Sequence, residues 1–246
     1  MNRYPIYICS KGRAGNSNII TELNEQKMNC TLFIEPQEVE AYAGEYPNLK
    51  IVDIGKNNQG LVYAREFIRL HAIEADDEWY WNLDDDVRFQ VNIKGKIRNA
   101  PITDIVKIEE FISKLKGVGQ VGLEYSQFAW SASKAFRYNT HCDCFICNNV
   151  EAFKFTSYDD TVLLKEDRDM TLQILTNGNK TVLINKYCFT APKNGSNKGG
   201  LYDVYQSGVE EERSKAMIAK WGNEICQFNR KKDGRPDVKI NWRHFK

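Results

Sequence analysis

The feature that most restricts this chain is an alternation of short apolar runs with amphipathic stretches across its first half. Ile6-Tyr7-Ile8-Cys9 reads as a strand and stops at Ser10-Lys11-Gly12-Arg13-Ala14-Gly15. Ile19, Ile20 and Leu23 then recur at helical spacing. Thr31 to Ile34 and Ile51 to Ile54 read as further strands. Leu61, Ala64, Ile68 and His71 share one face of a helix, and Trp79 to Leu83 forms a fourth strand. Ile105, Ile108, Ile112 and Leu115 mark another helix. Strands alternating with helices predict an α/β fold with a doubly wound, mostly parallel central sheet flanked by helices. Such sheets put ligands beyond the carboxyl ends of their strands. The informative loops are therefore those after Cys9, Ile54 and Leu83.

The second half is less regular. Gln120 to Tyr125, His141 to Asn148 and Thr181 to Ile184 read as strands. Glu166 to Leu175 and Val209 to Trp221 read as helices, with a polar loop over Pro192 to Gly200. The 246 residues fit one large domain, and 42% hydrophobic with 27% charged residues excludes wholesale disorder. Lys and Arg (34) balance Asp and Glu (33), but the charges are segregated. Seven acids and no base lie between Glu74 and Asp86, and four bases and no acid between Arg88 and Arg98. Seven bases against Asp233 and Asp237 follow from Arg230 to Lys246, which reads as a basic tail. That pattern suggests an acidic site for cations with flanks suited to a polyanion. No run of 18 apolar residues spans a membrane, and no signal-peptide core precedes the first strand. Seven cysteines, an odd number, do not make a secreted disulfide scaffold, so a reducing cytoplasmic setting is expected.

The strongest chemical signal is Trp79-Tyr80-Trp81-Asn82-Leu83-Asp84-Asp85-Asp86. Side chains alternate along a strand, so Asp84 and Asp86 share a side and Asp85 faces away. Two converging carboxylates repel unless a cation lies between them, and hard oxygen donors suit Mg²⁺ or Mn²⁺. A solvated acidic turn is the bland reading; an aromatic strand leading into the cluster argues against it. A haloacid-type phosphatase would carry its Asp pair after the first strand, and a polymerase or nuclease would need further acids for two metals. Val162 to Asp169 places Glu166 and Asp167 at a helix start. The helix dipole alone favours acids there. A carboxylate so placed could also act as a general base towards an acceptor hydroxyl. His141 to Cys147 lacks the paired clusters of a structural zinc site. Asp159-Asp160 reads as a turn or acceptor contact, and Trp130, Trp221 and Trp242 as core rather than stacking platforms.

A D-x-D at the fourth strand's end and a later x-E-D together resemble a GT-A nucleotide-sugar glycosyltransferase. The ordered set Ile8 to Arg13, Asn57 to Gly60, Ala64-Arg65, Trp81 to Asp86 and Lys198-Gly199-Gly200 resembles, more specifically, the TET/JBP-associated glycosyltransferases. Their phage members are implicated in glycosylating hydroxymethylated pyrimidines in DNA. The resemblance covers about Tyr4 to Tyr205. It implies a single GT-A domain, with residues 1–100 as the nucleotide-sugar-binding half, 101–229 as the acceptor and catalytic half, and 230–246 as the tail. It implies that Ser10, Lys11, Gly12 and Arg13 cradle the nucleotide and its phosphates. Glu35 would touch base or ribose, and Asn58, Gly60 and Arg65 would line the donor pocket. Asp84 would meet ribose or sugar and share the Mn²⁺ or Mg²⁺ with Asp86, beside Asp85. Lys193, Lys198, Gly199 and Gly200 would close over the diphosphate. Asp167, next to Glu166, would be the base of an inverting member. His141 and His244 are possible third metal ligands without supporting spacing. The implied reaction moves a sugar from a nucleotide diphosphate, UDP foremost, to the hydroxyl of 5-hydroxymethylcytosine in DNA, in the host cytoplasm if phage-encoded. A carbohydrate or protein acceptor, or a non-catalytic nucleic-acid-binding module, are the rival readings.

Overall fold

The computed structural model describes residues 2–193, 195–196 and 198–246. Asn194 and Asn197, in the expected polar loop, lie outside the described residues. The strands are β1 (Ile6–Ser10), β2 (Cys30–Ile34), β3 (Lys50–Asp53), β4 (Trp79–Leu83), β5 (Arg88–Ile93), β6 (Lys96–Asn99), β7 (Val118–Tyr125), β8 (Phe136–Tyr138), β9 (Phe145–Asn149), β10 (Lys180–Thr190), β11 (Cys226–Arg230) and β12 (Pro236–Ile240). The α-helices are α1 (Asn18–Glu25), α2 (Val39–Glu45), α3 (Gly60–Glu74), α4 (Ile105–Ile112), α5 (Ser126–Ala129), α6 (Val150–Phe153), α7 (Glu166–Thr176), α8 (Tyr202–Gln206) and α9 (Glu210–Trp221).

One large sheet runs β3-β2-β1-β4-β9-β7-β10-β5-β6, with β8 also paired to β10. Its first part is parallel: β1 lies between β2 and β4, and β3 lies outside β2. Beyond β4 it is mixed, since β9 runs antiparallel to both β4 and β7 while β7 and β10 are parallel. Strand alternation sends side chains to two cores. Ile6, Ile8, Leu32, Ile34, Trp79 and Trp81 pack with Ile19, Ile20 and Leu23 of α1 and with Ile105, Ile108 and Ile112 of α4. Tyr7, Phe33 and Tyr80 face the other way, onto Ala64, Ile68 and Ala72 of α3. Helices on both faces explain why these strands are apolar on both sides.

Three expectations change. The strand expected over His141 to Asn148 begins only at Phe145, because Cys144 has a left-handed backbone (φ 52) that no extended strand accommodates. His141, Cys142 and Asp143 are thereby released into a loop. The basic tail is instead a folded element. β11 and β12 form a hairpin that packs with Met217 of α9 and Leu172 of α7, backed by Trp221, Trp242 and Phe245. Trp130, expected in the core, is 59% exposed.

Candidate active site

The carboxyl ends of β1, β2 and β4 open into a cleft of about 380 Å³, roofed by residues 191–193, Gly195 and residues 199–205. Ser10, Lys11 and Arg13 line it from the first loop, Glu35 from the second strand's end, and Asn58 and Gly60 from the start of α3. Asp84, Asp85 and Asp86 form its floor, with Lys193, Gly199 and Gly200 in its roof. The resemblance thus singled out residues from five loops that the fold brings together. Gly12, Arg65 and Lys198 are not among the lining residues.

The first loop and the roof meet directly. The Gly200 amide donates to the Lys11 carbonyl at 3.3 Å, and Arg13 Nε donates to the Lys198 carbonyl at 3.2 Å. A Cβ on Gly199 would lie 2.6 Å from the Lys11 carbonyl oxygen, and its backbone is left-handed (φ 88). Only glycine satisfies both conditions. Lys11 Nζ bonds Glu35 at 3.0 Å and Asn58 at 2.6 Å, so it bridges two walls of the cleft. The Gly12 amide is already engaged by both Glu38 carboxylate oxygens, at 3.1 and 2.9 Å.

β4 ends at Leu83, so strand alternation does not carry through the acidic turn, and all three aspartates line the cleft. Asp85 is buried and accepts from Ser10 Oγ and from Arg13 Nη1. Burial pushes its carboxyl up to about 6, against the pull of Arg13 and Ser10. Asp85 therefore ties β4's turn to the first loop, and the expectation that it faces away from the site's chemistry understates its structural weight. Asp84 and Asp86 are more open, with side chains 31% and 23% exposed. Arg13 Nη1 also reaches Asp86 at 3.1 Å, and Arg65 Nη2 reaches Asp84 at 2.9 Å.

Arg65, expected to line the donor pocket, is instead a buried bridge behind it. Its other terminal nitrogen donates to Glu166 at 2.8 Å, so one guanidinium links the D-x-D to the x-E-D. Burial pushes Glu166 up to about 7 although Arg65 opposes it, and its Oε2 has no partner among the described residues. Asp167 Oδ2 lies 3.0 Å from His141 Nε2. Burial would raise Asp167, but His141 beside it, with Arg168 and Arg65, brings it below the ordinary carboxylate range. Burial alone would lower His141; Asp143 and Asp167 outweigh it and raise it. Asp143, in the loop that Cys144 creates, is pushed up to about 6 by burial.

Two groups of residues could hold a divalent ion. Asp84 and Asp86 offer partly exposed carboxylates to the cleft, a donor set that fits Mg²⁺ or Mn²⁺ completed by substrate oxygens. His141, Asp143 and Asp167 offer one ligand atom each, all within 4.8 Å of one another. Sequence reasoning weighed His141 only as an unsupported third ligand and missed Asp143. The alternation His141-x-Asp143 was the available signal. His244 is exposed and rests edge-on against Phe245. The cysteines weighed for zinc are otherwise engaged: Cys142 Sγ donates to carbonyl oxygens of Thr140 and Val182, Cys144 Sγ meets the Tyr125 hydroxyl, and Cys147 is in the core. Asp159 caps a short turn at Thr161 and pairs with Lys220 at 2.8 Å.

A family model described as TET-Associated Glycosyltransferase matches residues 4–200. The chain belongs to that family. It is a glycosyltransferase, and its architecture is the GT-A fold. Among curated proteins none matches its sequence. Among solved structures, a mycobacterial protein superposes with a TM-score of 0.55 at 7% identity, covering 97% of this chain and 83% of its own. GalNAc-T7, solved with UDP, GalNAc and Mn²⁺, gives 0.55 at 10% identity, over 90% of this chain and 48% of its own. The protein A197 from STIV gives 0.48 at 14% identity, over 79% and 87%. At such identities the first two likenesses speak for the fold alone. The family match stops at Gly200. In this glycosyltransferase α8, α9 and the terminal hairpin follow, and the last two hold α7 from outside: Trp221 Nε1 donates to Asp169 at 2.7 Å, and Asp237 accepts from Arg168 at 2.7 Å and pairs with Lys165 at 3.3 Å.

Proposed function

We propose that this glycosyltransferase moves a sugar from a UDP-sugar to the hydroxyl of 5-hydroxymethylcytosine in DNA, with a divalent ion at Asp86 and Asp84, in a reducing cytoplasm. The observation that carries it is the Arg65 bridge. It couples the floor of a nucleotide-sized cleft to Glu166, beside Asp167, the base of this reading. Ser10, Lys11 and Arg13 hold the nucleotide and phosphates on one side, while Lys193, Gly199 and Gly200 close on the other. Lys11 and Lys193 offset the diphosphate's charge, and Glu35 with Asn58 orients base and ribose. The ion, when bound, supplies Lewis-acid stabilisation to the diphosphate. Asp167, kept ionised by His141 and Arg168, takes the proton from the acceptor hydroxyl as it attacks the anomeric carbon. Glu166 holds Arg65, and so Asp84, in place.

The test incubates the protein with a panel of nucleotide diphosphate sugars, Mn²⁺ and duplex DNA carrying hydroxymethylcytosine, then digests the DNA for mass spectrometry. A hexosyl or pentosyl adduct on hydroxymethylcytosine is the expected product. Transfer to free saccharides or peptides with DNA untouched would replace this acceptor by a carbohydrate or protein hydroxyl.

A further inference from the structure

Beside His141 lies a second and larger depression, about 1310 Å³, between residues 134–140, the start of β10 and the terminal hairpin. Fourteen residues line it. Six are cations (Lys134, Arg137, Lys180, Lys239, Arg243 and Lys246), and none is Asp or Glu. In a chain with 34 bases and 33 acids, composition does not account for that segregation. Arg137 pairs with Glu124, which lies outside the lining. The other five cations are exposed and make no ion pair among the described residues. Phe136, Tyr138 and Trp242 stand among them, with Tyr138 53% exposed.

We propose that this groove binds the phosphodiester backbone of a nucleic acid and delivers the acceptor to Asp167; the proposal rests on the DNA reading above. Cations interleaved with aromatic rings suit a polymer that carries both phosphates and flat bases. A membrane surface would call for a flat or convex apolar face, whereas this one is concave. The groove also leads to the chemistry. Trp242 in its wall stacks on His141, ring centroids 6.1 Å apart and planes 11° apart, and His141 bonds Asp167. Phosphates are repelled by Asp84, Asp86, Asp143 and Asp167, so a polyanionic acceptor needs its attracting surface next to the acids and not among them. The cations of Arg88 to Arg98, the other stretch the sequence offered for DNA, stand on the β5–β6 hairpin and line neither depression.

The experiment titrates duplex DNA, with and without hydroxymethylcytosine, by fluorescence anisotropy at about 50 to 200 mM salt. Wild type is compared with Lys134→Ala/Lys180→Ala/Lys239→Ala and with a control triple at Lys94, Lys96 and Arg98. UDP-sugar hydrolysis and the melting temperature are read in parallel. The groove triple should weaken binding on the order of 10²-fold at about 0.1 M salt, and it should flatten the log–log salt slope by about 0.9 for each phosphate no longer neutralised. Hydrolysis and melting should stay at wild-type values, and the control triple should bind as wild type does. If wild type glycosylates hydroxymethylated duplex while the groove triple binds it unchanged, the groove is overturned and the acceptor reading stands. Groove-dependent binding with no sugar transferred to DNA from any donor upholds the groove and overturns the acceptor reading. Wild-type preference for phosphatidylserine vesicles over duplex overturns the groove.

Discussion

Asp167 and Glu166 are neighbours in sequence with opposite electrostatics. Asp167 faces His141 and is held ionised, free to accept a proton but weakened as a base; Glu166 faces Arg65 and is pushed up to about 7 by burial. Asp167→Asn keeps the shape and removes the basicity. Turnover should fall about 10²- to 10⁴-fold with donor affinity retained, measured by steady-state kinetics beside donor titration. Normal turnover in Asp167→Asn with loss in Glu166→Gln would move the base by one residue. Glu166 also makes a stability prediction. In the unfolded chain it ionises near its ordinary 4.5, but in the fold it keeps its proton to about 7. Between those values the folded state binds more protons, so raising pH through this window destabilises wild type. Glu166→Gln lacks that dependence. The melting temperature of wild type relative to Glu166→Gln should therefore drop from pH 4.5 to pH 7; a constant difference would show that the Arg65 ion pair overcomes burial. The pairing of acids at a helix start was legible in the sequence. Their different partners were not, because Arg65 and His141 lie 101 and 26 residues away and only the fold brings them in.

Helix α7 carries both acids, and its N-terminal turn is clamped from a hairpin at the far end of the chain. Asp237 of β12 is buried between Arg168 and Lys165. Its removal would leave two buried or half-buried cations facing each other. Breaking such a pair typically costs about 3–5 kcal/mol. Asp237→Ala should lower stability by that order in a denaturant titration, and it should depress turnover more than donor affinity because Asp167 sits one residue before Arg168. Donor affinity lost in step with turnover would mean that the hairpin supports the whole cleft and not α7 alone. Sequence patterning reached this region poorly. β1, β2 and β4 were legible because burial on both faces makes them continuous apolar runs, as in Trp79 to Leu83. The terminal hairpin was obscured by its charges, although Asp233-Gly234, with Gly234 left-handed, is a strong hairpin signal. Lys94-Gly95, both left-handed, marks the equally missed β5–β6 turn. The late start of β9 depends on Cys144, whose positive φ no residue type announces.

Across the molecule, the acidic cleft and the basic groove divide one electrostatic problem. The cleft gathers Glu35, Asp84, Asp85 and Asp86 against Lys11, Arg13 and Lys193. Of these cations, Lys11 is already bound to Glu35 and Arg13 to Asp85 and Asp86. A diphosphate entering beside three aspartates thus meets a field that the chain's own cations have largely spent on its own acids. Hard-cation binding at the two open carboxylates reverses that sign locally, so donor affinity should depend on metal. UDP with Mn²⁺ should raise the melting temperature, whereas UDP with EDTA should not. At about 100 times its dissociation constant a ligand adds about 2.7 kcal/mol. For a chain of this size that corresponds to a shift of roughly 5–10 °C. Asp86→Ala should lose the UDP–Mn²⁺ shift and the turnover together. Asp85→Asn should melt lower than wild type even without ligand, because Ser10 and Arg13 then face a neutral amide in a buried place. The decisive measurement is turnover of wild type in excess EDTA. Full activity there would remove the ion from Asp84 and Asp86 and leave Arg13 and Lys193, which line the cleft, as the groups that steady the departing diphosphate.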